Sequence, residues 1–296
     1  MLSIKTIKHQ AFSLIEISIV VIIIGILISG ISAGIDLYDD YKLRVAQNMT
    51  KNSRVGRINN LELWLETTTE YSLATGTTSF IDKLTLNNQD QVGRWNDINP
   101  NILPIAHNNA TQATLDNQPK YIRKGLNGLP TLSFDGSNDF FSYDGNFLVG
   151  SDYTIFVVEA RGSGKNLNCF LSGSATLTNT NMVLCYRSSN IITHVHWNYD
   201  LDKTIPAFSS EIGTIHSFVF SQNTGKEIYT NGGTKTVNTT QKIALTSYPG
   251  STIAKYQNNY YLGNIAEIIF YSRALSDQER KDVESYLSKK WSIKLS

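Results

Sequence analysis

Charge of one dominant sign is missing from this chain. Its 296 residues carry 26 Lys and Arg against 25 Asp and Glu, a formal net charge of +1. Composition therefore supplies no basic field for nucleic acid or an anionic membrane surface. Cysteine is scarce: Cys169 and Cys185 are the two in the chain, too few for a Cys cluster that holds metal. No G-x-x-x-x-G-K phosphate loop followed by Ser or Thr occurs, nor a G-x-S-x-G nucleophile turn, and no fixed-period repeat is present. The last absence is local. Ile17 to Ile35 holds no charged side chain at all.

That run is about the ~20 apolar residues needed to cross a hydrocarbon core ~30 Å thick. Lys5 and Lys8 precede it with no acid among them, so the amino terminus is expected to stay cytoplasmic while the rest crosses. Glu16 stands at the edge of the run, where an unpaired carboxylate is costly, and an acid at that depth is a functional candidate. A secretory signal peptide would have a shorter apolar core of ~7–15 residues and a small-residue cleavage site after it. An ordinary signal anchor would leave Glu16 without a role.

The stretch Lys8-His9-Gln10-Ala11-Phe12-Ser13-Leu14-Ile15-Glu16 and the apolar residues after it resemble the amino terminus of type IV prepilins and of the pseudopilins of type II secretion. The resemblance covers roughly residues 8 to 36. It implies cleavage of the leader between Ala11 and Phe12 by a prepilin peptidase, N-methylation of Phe12, and an assembly role for Glu16 as the fifth residue of the mature chain. The freed α-amine is mostly cationic at neutral pH. In a filament the Glu16 carboxylate of one subunit could meet the Phe12 amine of a neighbour and fix the axial register of helices that otherwise slide on apolar faces. Two positions depart from the family pattern. Ala11 stands where Gly is usual, and Ser32-Ala33-Gly34 stands where pilins often carry Pro, so no Pro kink is expected, although Gly30 and Gly34 could loosen the helix or let another pack closely.

Beyond Asp36, the residues Leu37, Tyr38, Tyr41, Val45 and Met49 recur at helical spacing, which predicts a stalk over 37–60 that frays or ends between Asn48 and Asn60. From Leu61 the pattern changes to short alternating segments broken by Gly, Asn and Asp. Tyr153–Arg161, Asn168–Ser172, Asn181–Arg187, Ile191–Trp197, Ile215–Ser221 and Asn264–Ser272 are examples, and Asn231-Gly232-Gly233 is a strong hairpin signal. Such spacing predicts an antiparallel sandwich. Ser276 and Glu279 form a capping box ahead of a final helix, with Val283, Tyr286, Leu287 and Trp291 on its apolar face and Lys281, Glu284, Lys289 and Lys290 facing water. This helix is expected to close one end or edge of the sandwich.

The segments around Leu61–Glu66, Val92–Asp97, Lys124–Asp139 and Tyr261–Ser276 resemble the laminin-G-like, concanavalin-A-like jelly rolls of bacterial surface proteins, over about residues 61 to 296. The resemblance implies the fold and leaves function open. Glucanases of this fold use paired carboxylates in a Glu-x-Asp-x-Glu run. None occurs and Glu267 reads as a lone acid, so no catalysis is expected. Asp135, Asn138 and Asp139 have the oxygen-rich look of a calcium loop, though the same residues form turns. His194 and His196 share a strand face, with His216 as a third metal ligand in reach, or else decorate the surface. Trp197, Tyr199, Tyr248, Tyr256 and Tyr260 could stack on sugar rings or belong to the core. Cys169 and Cys185 lie on two short β-like segments, as a cross-strand bridge or as two buried thiols.

The resulting expectation is a leader (1–11), a transmembrane assembly helix (12–36), a helical stalk (37–60) and a jelly-roll domain (61–296). The fold is mainly β, with the long amino-terminal helix and a carboxy-terminal helix. By the resemblance it is a minor or tip subunit of a type IV pilus or type II secretion pseudopilus, single-pass in the bacterial inner membrane, with its head periplasmic or extracellular. Its partners would be other pilin or pseudopilin subunits, the prepilin peptidase and a glycan or protein ligand, with no nucleic acid and, calcium apart, no cofactor. The alternative is a membrane-tethered carbohydrate-binding or adhesive protein outside any filament.

Overall fold

A computed structural model describes residues 14–76, 86–103 and 107–296. Ala11 and Phe12 lie outside the described residues. The chain divides into two compact units, one ending at Arg44 and one running from Val45 to Ser296.

The first unit is helical. Helix α1 spans Leu14–Asn52 without a break at Gly30 or Gly34, and Glu16 lies in its first turn. Ile and Val are mediocre helix formers in water, so a run of them makes sense as a helix that trades side-chain entropy for apolar surroundings. The large apolar side chains from Leu14 to Ile35 stand between 49% and 87% exposed. A helix that is apolar all round is long and greasy enough to cross a membrane or to serve as a signal sequence.

The second unit is an antiparallel β-sandwich. Among the described residues, one sheet has eight strands and the other nine. In the first sheet the central strands are Tyr153–Arg161 and Leu262–Tyr271, paired from Gly263 opposite Arg161 to Tyr271 opposite Thr154 with a register shift between Ile265 and Glu267. The other edge of Leu262–Tyr271 is shared: its first residues pair with Leu129–Asp135, its later ones with Leu61–Glu66. The first and last strands of the sandwich thus lie side by side. The expected turn at Asn231-Gly232 is present, with φ of 48° and 66°, the left-handed pair that a tight hairpin needs.

Strand Tyr153–Arg161 is buried at all nine positions, because both of its faces are covered. Tyr153, Ile155 and Val157 enter the core between the sheets, and Phe156, Val158 and Ala160 enter a second core on the outer face. That second core is closed by helix α2, Asp277–Trp291, through Val283, Leu287 and Trp291, and by Ala46 near the end of α1. The capping box of Ser276 and Glu279 forms as expected. The position of α2 does not: it covers the face of the first sheet, not an end or edge.

The polar side of α2 also departs from expectation. Lys281 and Lys289 are exposed, but Glu284 and Lys290 are buried. Both lie on the flank where α2 meets the sheet, and both are paired. Glu284 takes two bonds of 2.6 Å from the Arg280 guanidinium. Lys290 Nζ sits 2.8 Å from Glu66 Oε2 and 2.9 Å from Glu267 Oε2, with all three side chains sealed from solvent. Glu66 and Glu267 stand opposite each other in adjacent strands. Glu267 also accepts from Trp64 Nε1, Trp291 Nε1 and the Tyr286 hydroxyl at 2.7, 2.8 and 2.9 Å. Burial would push the Glu66 carboxyl up, but the Lys290 charge and the bonds from Thr68 and Thr69 hold it below the usual range. Tyr286 reaches the end of α1 as well, with its hydroxyl 3.1 Å from Thr50 Oγ1.

Removing the cation from this cluster leaves two facing carboxylates in a dry site. Lys290→Met is therefore expected to cost about 3–5 kcal/mol of folding stability, the usual penalty for an orphaned buried charge. Chemical denaturation measures it, and a loss under ~1 kcal/mol would show that the pair is no more than a surface contact.

Candidate functional site

The second sheet carries an unusual strand. Met182–Ser188 is apolar on both sides: Met182, Leu184 and Tyr186 point into the core between the sheets, while Val183 and Cys185 point outward. Its neighbours keep the same phase. Val183 pairs with Val195, Cys185 with Thr193 on one side and with Cys169 on the other. Cys169 and Cys185 are joined as a cross-strand disulfide, so the bridge, and not two thiols, is the state of this pair. Tyr256, from a short hairpin, packs against this outward patch.

The result is a groove of about 340 Å³ on the outer face of the sheet. Val183, Cys185, Thr193 and Val195 form its floor, and Trp197, Tyr256, Arg187 and Asp200 rise around it. Arg187 donates to Asp200 and lies 3.4 Å from Asp202. Burial would lower its guanidinium, but the two acids raise it, so the cation stays fixed between them. The groove thus joins an apolar floor, two aromatic walls and a few oriented polar groups, the usual makeup of a small-molecule site.

Trp197 is placed by a two-residue turn between strands Ile191–His196 and Asp200–Thr204. Trp197 and Asn198 have φ of 30° and 73°, and the His196 amide closes the turn onto Tyr199 O at 3.3 Å. Gly or Asn suits such a position, and a bulky side chain there is strained. The turn is held from below. Lys226 Nζ donates to Tyr199 O at 2.7 Å, and burial brings this ammonium down to about 7. Asn198 Nδ2 donates to Thr178 Oγ1 at 2.9 Å.

His194 and His196 are not surface decoration. Both are buried on the inner side of the sheet, each with Nε2 2.6 Å from the Tyr153 hydroxyl. Burial, helped by the Lys226 charge, keeps both imidazoles neutral, well below their ordinary value. His196 Nδ1 faces Ile243 O at 3.2 Å, so it carries the proton and Nε2 accepts from Tyr153. His194 Nε2 must then donate to the same hydroxyl. His216 belongs to a different network, 2.8 Å from the Tyr186 hydroxyl and 3.2 Å from Glu159. The three histidines form no common ligand set.

In the loop after Leu129–Asp135 the oxygens are engaged as turn acceptors. Asp135 Oδ1 takes the amides of Ser137 and Asn138 at 2.8 and 3.2 Å, and Asp139 Oδ2 takes the Asp135 amide at 3.0 Å. Burial raises the Asp139 carboxyl to about 6. Among the described residues no group of three His, Cys, Asp or Glu could hold a metal ion. Of the five aromatics considered, Trp197 and Tyr256 line the groove, Tyr248 is core, and Tyr199 and Tyr260 lie outside it. Arg187, Asp200, Val183 and Val195 were not singled out from sequence. The signal that could have found them is the double-sided apolar character of Met182–Tyr186.

No protein-family model matches the sequence, and a comparison with curated proteins finds no match. Solved structures do share the fold. A Trypanosoma rangeli sialidase aligns over 81% of this chain and 34% of its own, at 12% identity and a TM-score of 0.51. A GH54 α-L-arabinofuranosidase aligns over 78% of this chain and 62% of its own, at 12% identity and a TM-score of 0.55. The chain therefore spans about a third of the one and under two thirds of the other. The expectation of a head without catalysis is corrected here. These neighbours are glycoside hydrolases, and Glu267 is not a lone acid, since Glu66 faces it across the strand pair.

The disulfide closes a chain segment of 16 residues beneath the groove. Replacing both cysteines by Ala is expected to cost about 3 kcal/mol, as for other loops of about that length. Denaturation of the double variant beside the oxidised parent measures it, and equal midpoints would contradict the expectation.

Proposed function

We propose that this chain is a minor or tip subunit of a type IV pilus or type II secretion pseudopilus, with the sandwich as a ligand-binding head. The reading rests on one coincidence. In the sequence the leader cations and Phe12, with Glu16 at its spacing, come directly before and into a helix whose large apolar side chains stand exposed from Leu14 to Ile35. Such a helix needs either lipid or other helices around it.

On this reading the prepilin peptidase removes residues 1–11 and Phe12 is methylated with its charge retained. The Glu16 carboxylate of each incoming subunit then pairs with the Phe12 amine of a neighbour. In a low-dielectric setting that pair is costly to break and selects one axial register. The span lies in the bacterial inner membrane with the head outside the cytoplasm, where the Cys169–Cys185 bridge would persist. A head this bulky would crowd a filament lattice if every subunit carried it, which favours a minor or terminal place. A second reading, a tethered carbohydrate-binding or adhesive protein that enters no filament, draws on the groove alone.

Mass spectrometry of the mature amino terminus is expected to find N-methylated Phe12. A mature chain that retains Met1 removes the proposal. Glu16→Ala should be processed normally yet enter filaments at a small fraction of the parent level, as judged by sheared-filament blots. Incorporation at the parent level would favour the tethered reading.

A further inference from the structure

We infer that the outer-face groove binds an uncharged saccharide, stacked against Trp197 and Tyr256. The inference rests on the reading of the head as a binding surface and names the chemical class that surface takes. Three observations carry it. The first is the unusual apolar floor. An outward sheet face in water is normally polar, yet Val183, Val195 and the disulfide lie there beneath a groove of about 340 Å³, room for a ring-sized group.

The second is the conformation of Trp197. A left-handed backbone is a poor place for an indole, and such strain persists where the surroundings enforce it. Here they do. Lys226 from the opposite sheet and Thr178 from a neighbouring loop both hold the turn. The indole is thereby set at the groove rim before any ligand arrives, which reduces the ordering cost of binding.

The third is charge. The Arg187 cation is already neutralised by Asp200 and Asp202, which leaves an excess acid at the rim. A sialate, uronate or phosphate would meet repulsion, whereas hydroxyls can accept from the guanidinium and donate to the carboxylates. A peptide strand has less to gain. The floor strands Met182–Ser188 and Ile191–His196 are paired on both sides, so a strand could add only along the outer edge of Asp200–Thr204, away from the apolar floor.

The full-length protein in detergent would be titrated calorimetrically with neutral oligosaccharides ending in glucose, galactose, mannose, arabinose or N-acetylhexosamine. Sialylated and uronate-bearing counterparts and an unstructured peptide serve as contrasts. At least one neutral glycan should bind, and Trp197→Asn and Tyr256→Ala should each weaken it about tenfold or more, the order expected for loss of one aromatic stacking contact. Trp197→Asn should also raise the melting temperature, because Asn suits the left-handed turn. A merely structural tryptophan would not lose binding while gaining stability. The inference is overturned if no neutral glycan binds, if an anionic glycan or the peptide binds as tightly, or if Trp197→Asn binds like the parent. Failure of this kind beside a methylated Phe12 leaves the filament reading standing. Glycan binding beside an intact Met1 does the reverse.

Discussion

A single ammonium buried between two carboxylates organises the head. Lys290 is donated by the last helix, Glu66 by the first strand and Glu267 by the last strand. An ion in that position has only two alternatives, full pairing or a large desolvation penalty, so the three elements must assemble together. The rings that shield the cluster extend its reach. Trp64, Tyr286 and Trp291 each donate to Glu267, and Tyr286 also contacts Thr50 near the end of α1. Burial of this kind lends specificity more than net stability. It fixes which face of α2 meets the sheet, a choice that the apolar residues alone would leave looser.

The two sheets use their outer faces differently. The first sheet hides its outer face beneath α2 and the end of α1, which is why its central strands have no polar side. The second sheet leaves its outer face open and still carries apolar residues there, partly roofed by Tyr256 and flanked by Trp197. Beneath it, the inner face of the same strands holds His194 and His196 against the Tyr153 hydroxyl through their Nε2 atoms. Both neutral imidazoles are tied to the Tyr153 hydroxyl, and Lys226 holds the turn at Trp197 from the same inner side. Packing on the inside thus sets geometry on the outside.

Fold likeness to glycoside hydrolases at 12% identity speaks to architecture, since this sandwich hosts many activities. What distinguishes this chain is the conjunction of an apolar amino-terminal helix with a sandwich whose open face is grooved. The helix satisfies its backbone internally and, up to Arg44, presents apolar side chains outward, while the unit from Val45 buries a core that includes Ala46 at the end of that helix.

Residue pattern alone determined the apolar helix, the sandwich, most strand positions and the cap of α2, because each follows from local periodicity or a local hydrogen bond. Tyr153–Arg161 and Asn168–Ser172 were legible to the residue. The two-residue strands such as Arg94–Trp95 and Ala110–Thr111 were not, since two residues have no period. Only tertiary structure decided that Glu267 faces Glu66, that Lys290 and Glu284 are buried, that the histidines point inward and that the cysteines meet. Each depends on which strands become neighbours and in which register, and register turns on contacts more than a hundred residues apart, such as Glu66 with Glu267. The groove belongs to the same class: its walls come from segments that alternation can assign to a face, but only the assembled sheet brings them to one place.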